Sequence, residues 1–249
     1  MNLTNPITSG NTADIYLHEG KLIKLFKEFL PGTEAEDEAN KQRYAYAQGL
    51  LVPHIYEVTK INNRQAIIME YIPGETIGFI IQNDTPKTEY YMSLSVDVQI
   101  KMHKIKANNF GLMADKLNHN IRSTKSLNTR QKSILIDKLQ NMQYETRLCH
   151  GDFHFLNLIL NDKGITIIDW VDSSAGDIKA DVCRSYLLYS QFIPELADLY
   201  IHLYCEKSGL SQADIFAWLP IIAGARLNEN VASENENRLI EIVNQYCTA

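Results

Sequence analysis

The sequence predicts an α+β chain: a small sheet-rich part over residues 1–72 and a larger, mainly helical part over 73–249. Three observations lead there. Short apolar runs separated by turn signals fill the first part, with one helical pattern among them. Pro73-Gly74 then breaks the chain. Beyond it, apolar residues recur at helical spacing, interrupted by one strand island between Leu148 and Ile168.

In chain order, Asp14–Leu17 and Lys21–Phe26 read as strands joined by His18, Glu19 and Gly20. Pro31-Gly32 breaks the chain, and a helix pattern opens at Thr33. Glu34, Glu36, Asp37 and Glu38 come early and Lys41 and Arg43 later, an order that suits the helix dipole, and Gly49 ends the pattern. Two more strands follow near His54–Lys60 and Gln65–Tyr71, turning at Asn62-Asn63. Past Gly74, Tyr90–Lys106 carries Met92, Val96, Ile100 and Met102 near helical spacing, and Gln131–Met142 is a second helix. Leu148–Cys149, Asn157–Leu160 and Ile165–Ile168 are short strands, the last two a hairpin through Asn161-Asp162-Lys163-Gly164. Helices resume at about Ala180.

The 249 residues carry 45% hydrophobic and 22% charged residues and a formal charge of −6, which gives no electrostatic reason to expect nucleic acid or anionic lipid as partner. Cys149, Cys183, Cys205 and Cys247 show no zinc-ligand spacing, and reduced thiols in a cytosolic protein are the simplest reading. Met1–Gly10 has no basic or apolar signal region, and apolar runs such as Leu219–Ala223 are too short to cross a bilayer. A cytoplasmic monomer or homodimer without a membrane partner is the expectation.

The chemistry is concentrated in His150-Gly151-Asp152-Phe153-His154-Phe155-Leu156-Asn157 and Ile167-Ile168-Asp169-Trp170. Phosphoryl transfer needs an acceptor hydroxyl aimed at phosphorus and cations that neutralise its oxygens. A carboxylate at the acceptor, plus an amide oxygen and a second carboxylate on Mg²⁺, meets that need, because Mg²⁺ prefers oxygen ligands. Asn157 follows Asp152 by five residues and Asp169 follows Asn157 by twelve, and a hairpin between them returns Asp169 beside Asn157. This is the kinase catalytic-loop spacing.

These strings resemble the HGDxHxxN and IDW signatures of aminoglycoside phosphotransferases, choline kinases and their relatives. Ala175-Gly176-Asp177 and Asp181-Val182-Cys183-Arg184 are similar to that family's G-D-P and D-x-x-R stretches, with Ile178 in place of proline. The resemblance implies a protein-kinase-like bilobal fold: residues 1–72 the nucleotide-clamping lobe, 73–249 the helical lobe with catalytic loop and acceptor site. It implies a small-molecule kinase that uses ATP or GTP and Mg²⁺ on a hydroxyl substrate such as an aminoglycoside, a choline-like alcohol or a sugar alcohol. Asp152 is then the catalytic base or hydroxyl-orienting group, and Asn157 and Asp169 the metal ligands. His150 braces the loop, and Asp181 positions it through a backbone or histidine contact.

The first lobe should hold the nucleotide. Ser9-Gly10 opens a turn able to offer backbone N–H groups to phosphates. Lys24 is a charge inside the apolar strand Leu22–Phe26, costly to bury unpaired. By the resemblance it reaches the α- and β-phosphates, paired with Glu38 or, failing that, Glu34. Ala66–Gly74 resembles the kinase hinge, which assigns adenine contacts to the Glu70 carbonyl and the Ile72 N–H, with Met69 behind. His103 reads better as a packing residue than a functional one. Asp172, Asp177, Glu229, Glu234 and Glu236 fit a solvated acidic face better than a site for a cationic substrate.

Two rivals stand. On an extended strand His150, Asp152 and His154 would share one side and form a metallohydrolase site. A nucleotide-binding pseudokinase would keep the fold without turnover, against the presence of every expected catalytic residue.

Overall fold

The computed structural model describes residues 3, 5–107, 110–229, 231 and 233–247; positions 1, 2 and 4 of the Met1–Gly10 segment lie outside them. The strands are β1 (Thr8–Ser9), β2 (Ala13–His18), β3 (Lys21–Phe26), β4 (Ile55–Ile61), β5 (Arg64–Glu70), β6 (Glu75–Thr76), β7 (Arg147–Cys149), β8 (Leu158–Asn161), β9 (Gly164–Ile167) and β10 (Ser174–Gly176). The helices are α1 (Glu34–Ala47), α2 (Ile77–Asn83), α3 (Thr88–His103), α4 (Met113–Ser123), α5 (Thr129–Asn141), α6 (Ile178–Phe192), α7 (Pro194–Ser208), α8 (Gln212–Phe216), α9 (Leu219–Arg226) and α10 (Glu236–Cys247).

The chain packs as two compact units, each discontinuous in sequence: 1–84 with 155–172, and 85–154 with 173–249. These units differ from the expected division into 1–72 and 73–249. Pro73-Gly74 turns the chain without ending the packing: β6 pairs with β8, so residues 73–84 and the β8–β9 hairpin join the first unit.

In the first unit, five antiparallel strands run in the order β1-β2-β3-β5-β4. The apolar run Ala66–Met69 makes β5 an interior strand with both faces covered. By strand alternation Ile67 and Met69 pack with Phe26, Ile55 and the α1 residues Ala35 and Ala39, whereas Ala66 and Ile68 pack with Ile23, Leu25 and Ile61. The β4–β5 turn puts Asn62 and Asn63 at φ 48° and 69°, the left-handed pair that suits a two-residue hairpin. Helix α1 has acidic residues in its first turn, favourable at the positive end of its dipole. The expected complement at its far end is not there: its last turn holds no basic residue, Arg43 bonds Glu36 and Asn40, and Lys41 turns to the Val171 carbonyl.

A second sheet of three strands, β6-β8-β9, completes this unit. Gly74 sits at φ 142°, and a Cβ there would lie 2.3 Å from the backbone oxygen of Leu160. Neither the torsion nor the space admits a side chain. Gly74→Ala is therefore expected to destabilise the protein by about 3 kcal/mol, read as a lower urea midpoint at unchanged m-value.

The second unit is helical around the two-stranded β7–β10 ribbon. Helix α3 runs over Thr88–His103, ending before the expected Lys106, and its buried stripe is Met92, Ser95, Val96, Gln99, Met102 and His103. Ile100 lies off that stripe, while three polar residues outside the apolar pattern, Ser95, Gln99 and His103, lie on it. Gln99 is fully buried and satisfied: the Tyr200 hydroxyl donates to its carbonyl oxygen at 2.7 Å. Helix α5 begins with a capping box between Asn128 and Gln131. Asp177 caps α6, which puts Ile178 at the first helical position, where proline is favoured but not required. Helix α9 is buried from Pro220 to Arg226 and packs against α4, α5, α6 and α10. Among the described residues no helix is long and apolar enough to cross a membrane.

Candidate active site

The first unit encloses a cavity of about 470 Å³, within the range of small-molecule sites. Leu22, Met69, Ile72, Ile159 and Ile168 give it apolar walls, and Lys24, Glu38 and Asp169 a charged end. Gly10 and Glu70 also line it. Ser9 does not: its hydroxyl donates to Asp14 at 2.6 Å. Asp14 also accepts from Lys27, and from Arg64 at 2.8 Å. Together these bonds hold the Asp14 carboxyl far below the usual carboxylate range, Lys27 contributing most, and fix the turn between β1 and β2 from outside the cavity.

Lys24 is buried on β3 and donates to Glu38 at 2.7 Å and to Asp169 at 2.8 Å. Its partner on α1 is thus Glu38 and not Glu34. Burial alone would lower the ammonium's pKa; the Glu38 and Asp169 carboxylates outweigh it and raise it, so Lys24 stays cationic. Burial raises the Glu38 carboxyl, and the ammonium works against that. One ammonium thus faces two carboxyl groups. Among the described residues Glu38 Oε2 is buried without a hydrogen-bond partner, and the Asp169 side chain is 42% exposed.

The hairpin carries Asn157 and Asp169 to neighbouring positions. Leu158 pairs with Ile167, and the Ile168 N–H donates to the Asn157 carbonyl at 3.0 Å. Asp169 has φ 61°, a left-handed conformation that costs a non-glycine residue about 1 kcal/mol and marks a constrained position. Next to it Trp170 is fully buried, its indole N–H donating to the Ile167 carbonyl at 3.1 Å.

Asp152 belongs to the second unit, in an irregular turn after β7. Two bonds set the backbone of this turn: the Gly151 N–H donates to Asp181 Oδ1 at 2.7 Å, and the Asp152 N–H to His150 Nδ1 at 3.3 Å. Asp181 is itself held by His103, whose Nε2 lies 2.9 Å from Oδ2 while Nδ1 faces the Tyr204 hydroxyl at 2.6 Å. His103 is thus a satisfied buried residue, and Asp181 meets both a backbone N–H and a histidine. The Asp152 side chain lies 3.3 Å from His154 Nε2. Burial would raise its carboxyl pKa; the His154 bond and the charges of His154, Arg184 and His150 prevail and hold it well below the usual range.

The segment from His150 to His154 is not a strand, and His150 is buried with a nitrogen committed to the loop backbone. The metallohydrolase geometry therefore fails. Among the described residues the one metal-capable cluster is His103, Cys149 and Asp181, already satisfied internally. Three of the five acidic residues, Asp177, Glu229 and Glu234, are not part of a solvated face, whereas Glu236 is exposed. Asp177 is buried and accepts from Trp218 at 3.0 Å, Glu229 forms a forked pair with Arg184 at 2.7 and 2.8 Å, and Glu234 pairs with Arg226 and Arg238. Sequence reasoning missed Gln42, Ile159, Ile168 and Lys41. The first three line the cavity; the bond of Lys41 ends on a backbone carbonyl and leaves no pattern in the sequence.

Comparison with known proteins agrees with this layout. A family model described as the phosphotransferase enzyme family matches residues 4–218. No curated protein sequence matches the chain. Among solved structures, it is similar to a thermostable variant of aminoglycoside phosphotransferase APH(4)-Ia in ternary complex with AMP-PNP and hygromycin B (TM-score 0.70, 13% identity, 97% of this chain and 93% of that one). It is also similar to ADP-bound aminoglycoside phosphotransferase APH(2'')-Ib (TM-score 0.62, 18% identity, 99% and 93%). A choline/ethanolamine kinase family protein from Mesorhizobium loti gives a TM-score of 0.67 at 14% identity, over 100% of this chain and 87% of that one. At such identities the likeness is one of fold, the kinase-like fold expected. With the family match covering residues 4–218 of 249, the chain belongs to the phosphotransferase enzyme family and is a small-molecule kinase.

Proposed function

We propose that this kinase transfers the γ-phosphoryl group of ATP or GTP to a hydroxyl of a small molecule, such as an aminoglycoside, a choline-like alcohol or a sugar alcohol, with Mg²⁺ as the cation. One observation carries the reading: a buried lysine held between Glu38 and Asp169 at the charged end of a 470 Å³ cavity whose other walls are apolar. Two of the similar structures hold AMP-PNP or ADP, which supports a nucleotide in that cavity. Its base would rest among Leu22, Met69 and Ile72, its edge read by the Glu70 carbonyl and the Ile72 N–H. The turn at Ser9-Gly10 would border the phosphates, with Gly10 at the wall, its own N–H donated to the Ala13 carbonyl at 2.9 Å, and Ser9 as the anchor to Asp14.

The donor set fits a hard divalent cation. Asn157 and Asp169 would supply an amide and a carboxylate oxygen from just beyond the paired Leu158 and Ile167 at the open end of one hairpin. Mg²⁺ bound there neutralises charge on the phosphate oxygens during transfer. Lys24, kept cationic, holds the phosphates in register once Asp169 turns to the metal. Asp152 accepts the hydrogen bond of the acceptor hydroxyl and aims its oxygen at phosphorus. As that oxygen bonds to phosphorus, the bond to the departing nucleoside diphosphate breaks and the hydroxyl proton is released. A carboxylate held below the usual range is a weak base, so Asp152 orients the hydroxyl and takes its proton only late. The internal pairing of Glu229 and Glu234 removes the main argument for a cationic acceptor.

The test is a coupled ADP-release screen of the intact protein with ATP or GTP, Mg²⁺ and a panel of alcohol-bearing antibiotics and metabolites. Acceptor-dependent release, matched by a phosphorylated product in mass spectrometry, is expected. Nucleotide binding without turnover on any acceptor would favour the pseudokinase.

A further inference from the structure

We infer that Lys41 is a positioning residue for phosphoryl transfer, holding the backbone that presents Asp169. The inference rests on the metal-ligand role proposed for Asp169. Lys41 Nζ donates to the Val171 carbonyl at 2.5 Å, joining α1 to a segment 130 residues further along the chain. Glu38 and Lys41 are three residues apart and therefore share a face of α1. From that face Glu38 reaches Asp169 through Lys24, and Lys41 reaches the carbonyl two residues beyond it. One helix thus grips the segment by its side chain and by its backbone.

Asp169 is a residue that needs such a grip. Its left-handed conformation persists only where the surroundings impose it. On the upstream side, the Ile168 N–H is bonded to Asn157 and the Trp170 indole to Ile167. On the downstream side, the Lys41 bond fixes Val171. The acceptor of this bond is a backbone carbonyl, so Lys41 supplies a charge-assisted, directional bond to the main chain that presents Asp169. The carboxylate stays aimed for a cation.

The test compares Lys41→Met, Lys41→Arg and Asp169→Asn with the wild-type chain. A fluorescent ADP analogue is titrated with Mg²⁺ and with EDTA, and kcat is measured on an acceptor from the screen. Lys41→Met is expected to lose about tenfold in kcat and about tenfold in the gain of ADP affinity conferred by Mg²⁺, the scale of a residue that orients a metal ligand. Its ADP affinity in EDTA stays within about twofold of wild type, and Lys41→Arg recovers most of both losses because it keeps a charged donor. Should Lys41→Met fail to fold, Lys41→Gln takes its place, with the same pattern at smaller size. Equal losses with and without Mg²⁺ would reduce Lys41 to a fold contact and overturn the proposal. If Asp169→Asn keeps the wild-type Mg²⁺ response, the metal assignment falls and takes this inference with it. If Asp169→Asn loses that response while Lys41→Met keeps it, the Lys41 proposal alone falls.

Discussion

Asp169→Asn is expected to lower kcat by at least about 10³-fold, roughly 4 kcal/mol of transition-state stabilisation. Asparagine is the informative replacement because it tolerates the left-handed backbone at φ 61° and fills the same volume, so the loss reports charge and not strain. Lys24 would keep Glu38 at 2.7 Å and remain a paired buried cation, so thermal stability should change little. The assays are single-turnover kinetics and a Mg²⁺ titration. A variant within tenfold of wild type at saturating Mg²⁺ would contradict the assignment.

Asp152→Asn is expected to lower kcat by about 10²- to 10⁴-fold, the range of a positioned proton acceptor, with the nucleotide KM unchanged. Its pH behaviour follows from its surroundings. His154, Arg184 and His150 overcome the effect of burial and depress the carboxyl pKa, so the group is ionised throughout the neutral and mildly acidic range. A depressed native pKa adds stability above the unfolded value of about 3.9, lost as pH falls through the lower native one. An acid limb in kcat/KM between about pH 5 and 7 would therefore belong to another group and should persist in Asp152→Asn. Turnover by Asp152→Asn within fivefold of wild type would undo the role given to it.

What the sequence made legible was local. The turns at Glu19-Gly20, Asn62-Asn63 and Asp162-Lys163 carry their own conformational preferences, and the strands between them alternate as strands must. The link from Asp181 to the catalytic loop came with the family resemblance of the string around it, and not from a local preference of its own. Other features depend on partners far away in sequence. Helix α2 has only seven residues and is set by packing more than by its own pattern. Helix α4 buries Met113, Leu117 and Ile121 at a regular spacing of four, a signal present in the sequence and passed over. Asp177, Glu229 and Glu234 could not be told from surface charge until their arginine and tryptophan partners were placed.

The interleaving of the two packing units bears on how the protein forms on the ribosome. Strand β6 finds its neighbour only in β8, and seventy residues of the other unit, 85–154, are made in between. At about 5–20 residues per second, β6 waits several seconds unpaired, behind the finished amino-terminal sheet, before the β8–β9 hairpin that completes its own sheet emerges. Vectorial, unit-by-unit maturation is thus closed to this chain. A nascent fragment ending near residue 84 would expose backbone suited to intermolecular strand addition, which makes that stretch of synthesis the one most in need of chaperone shelter.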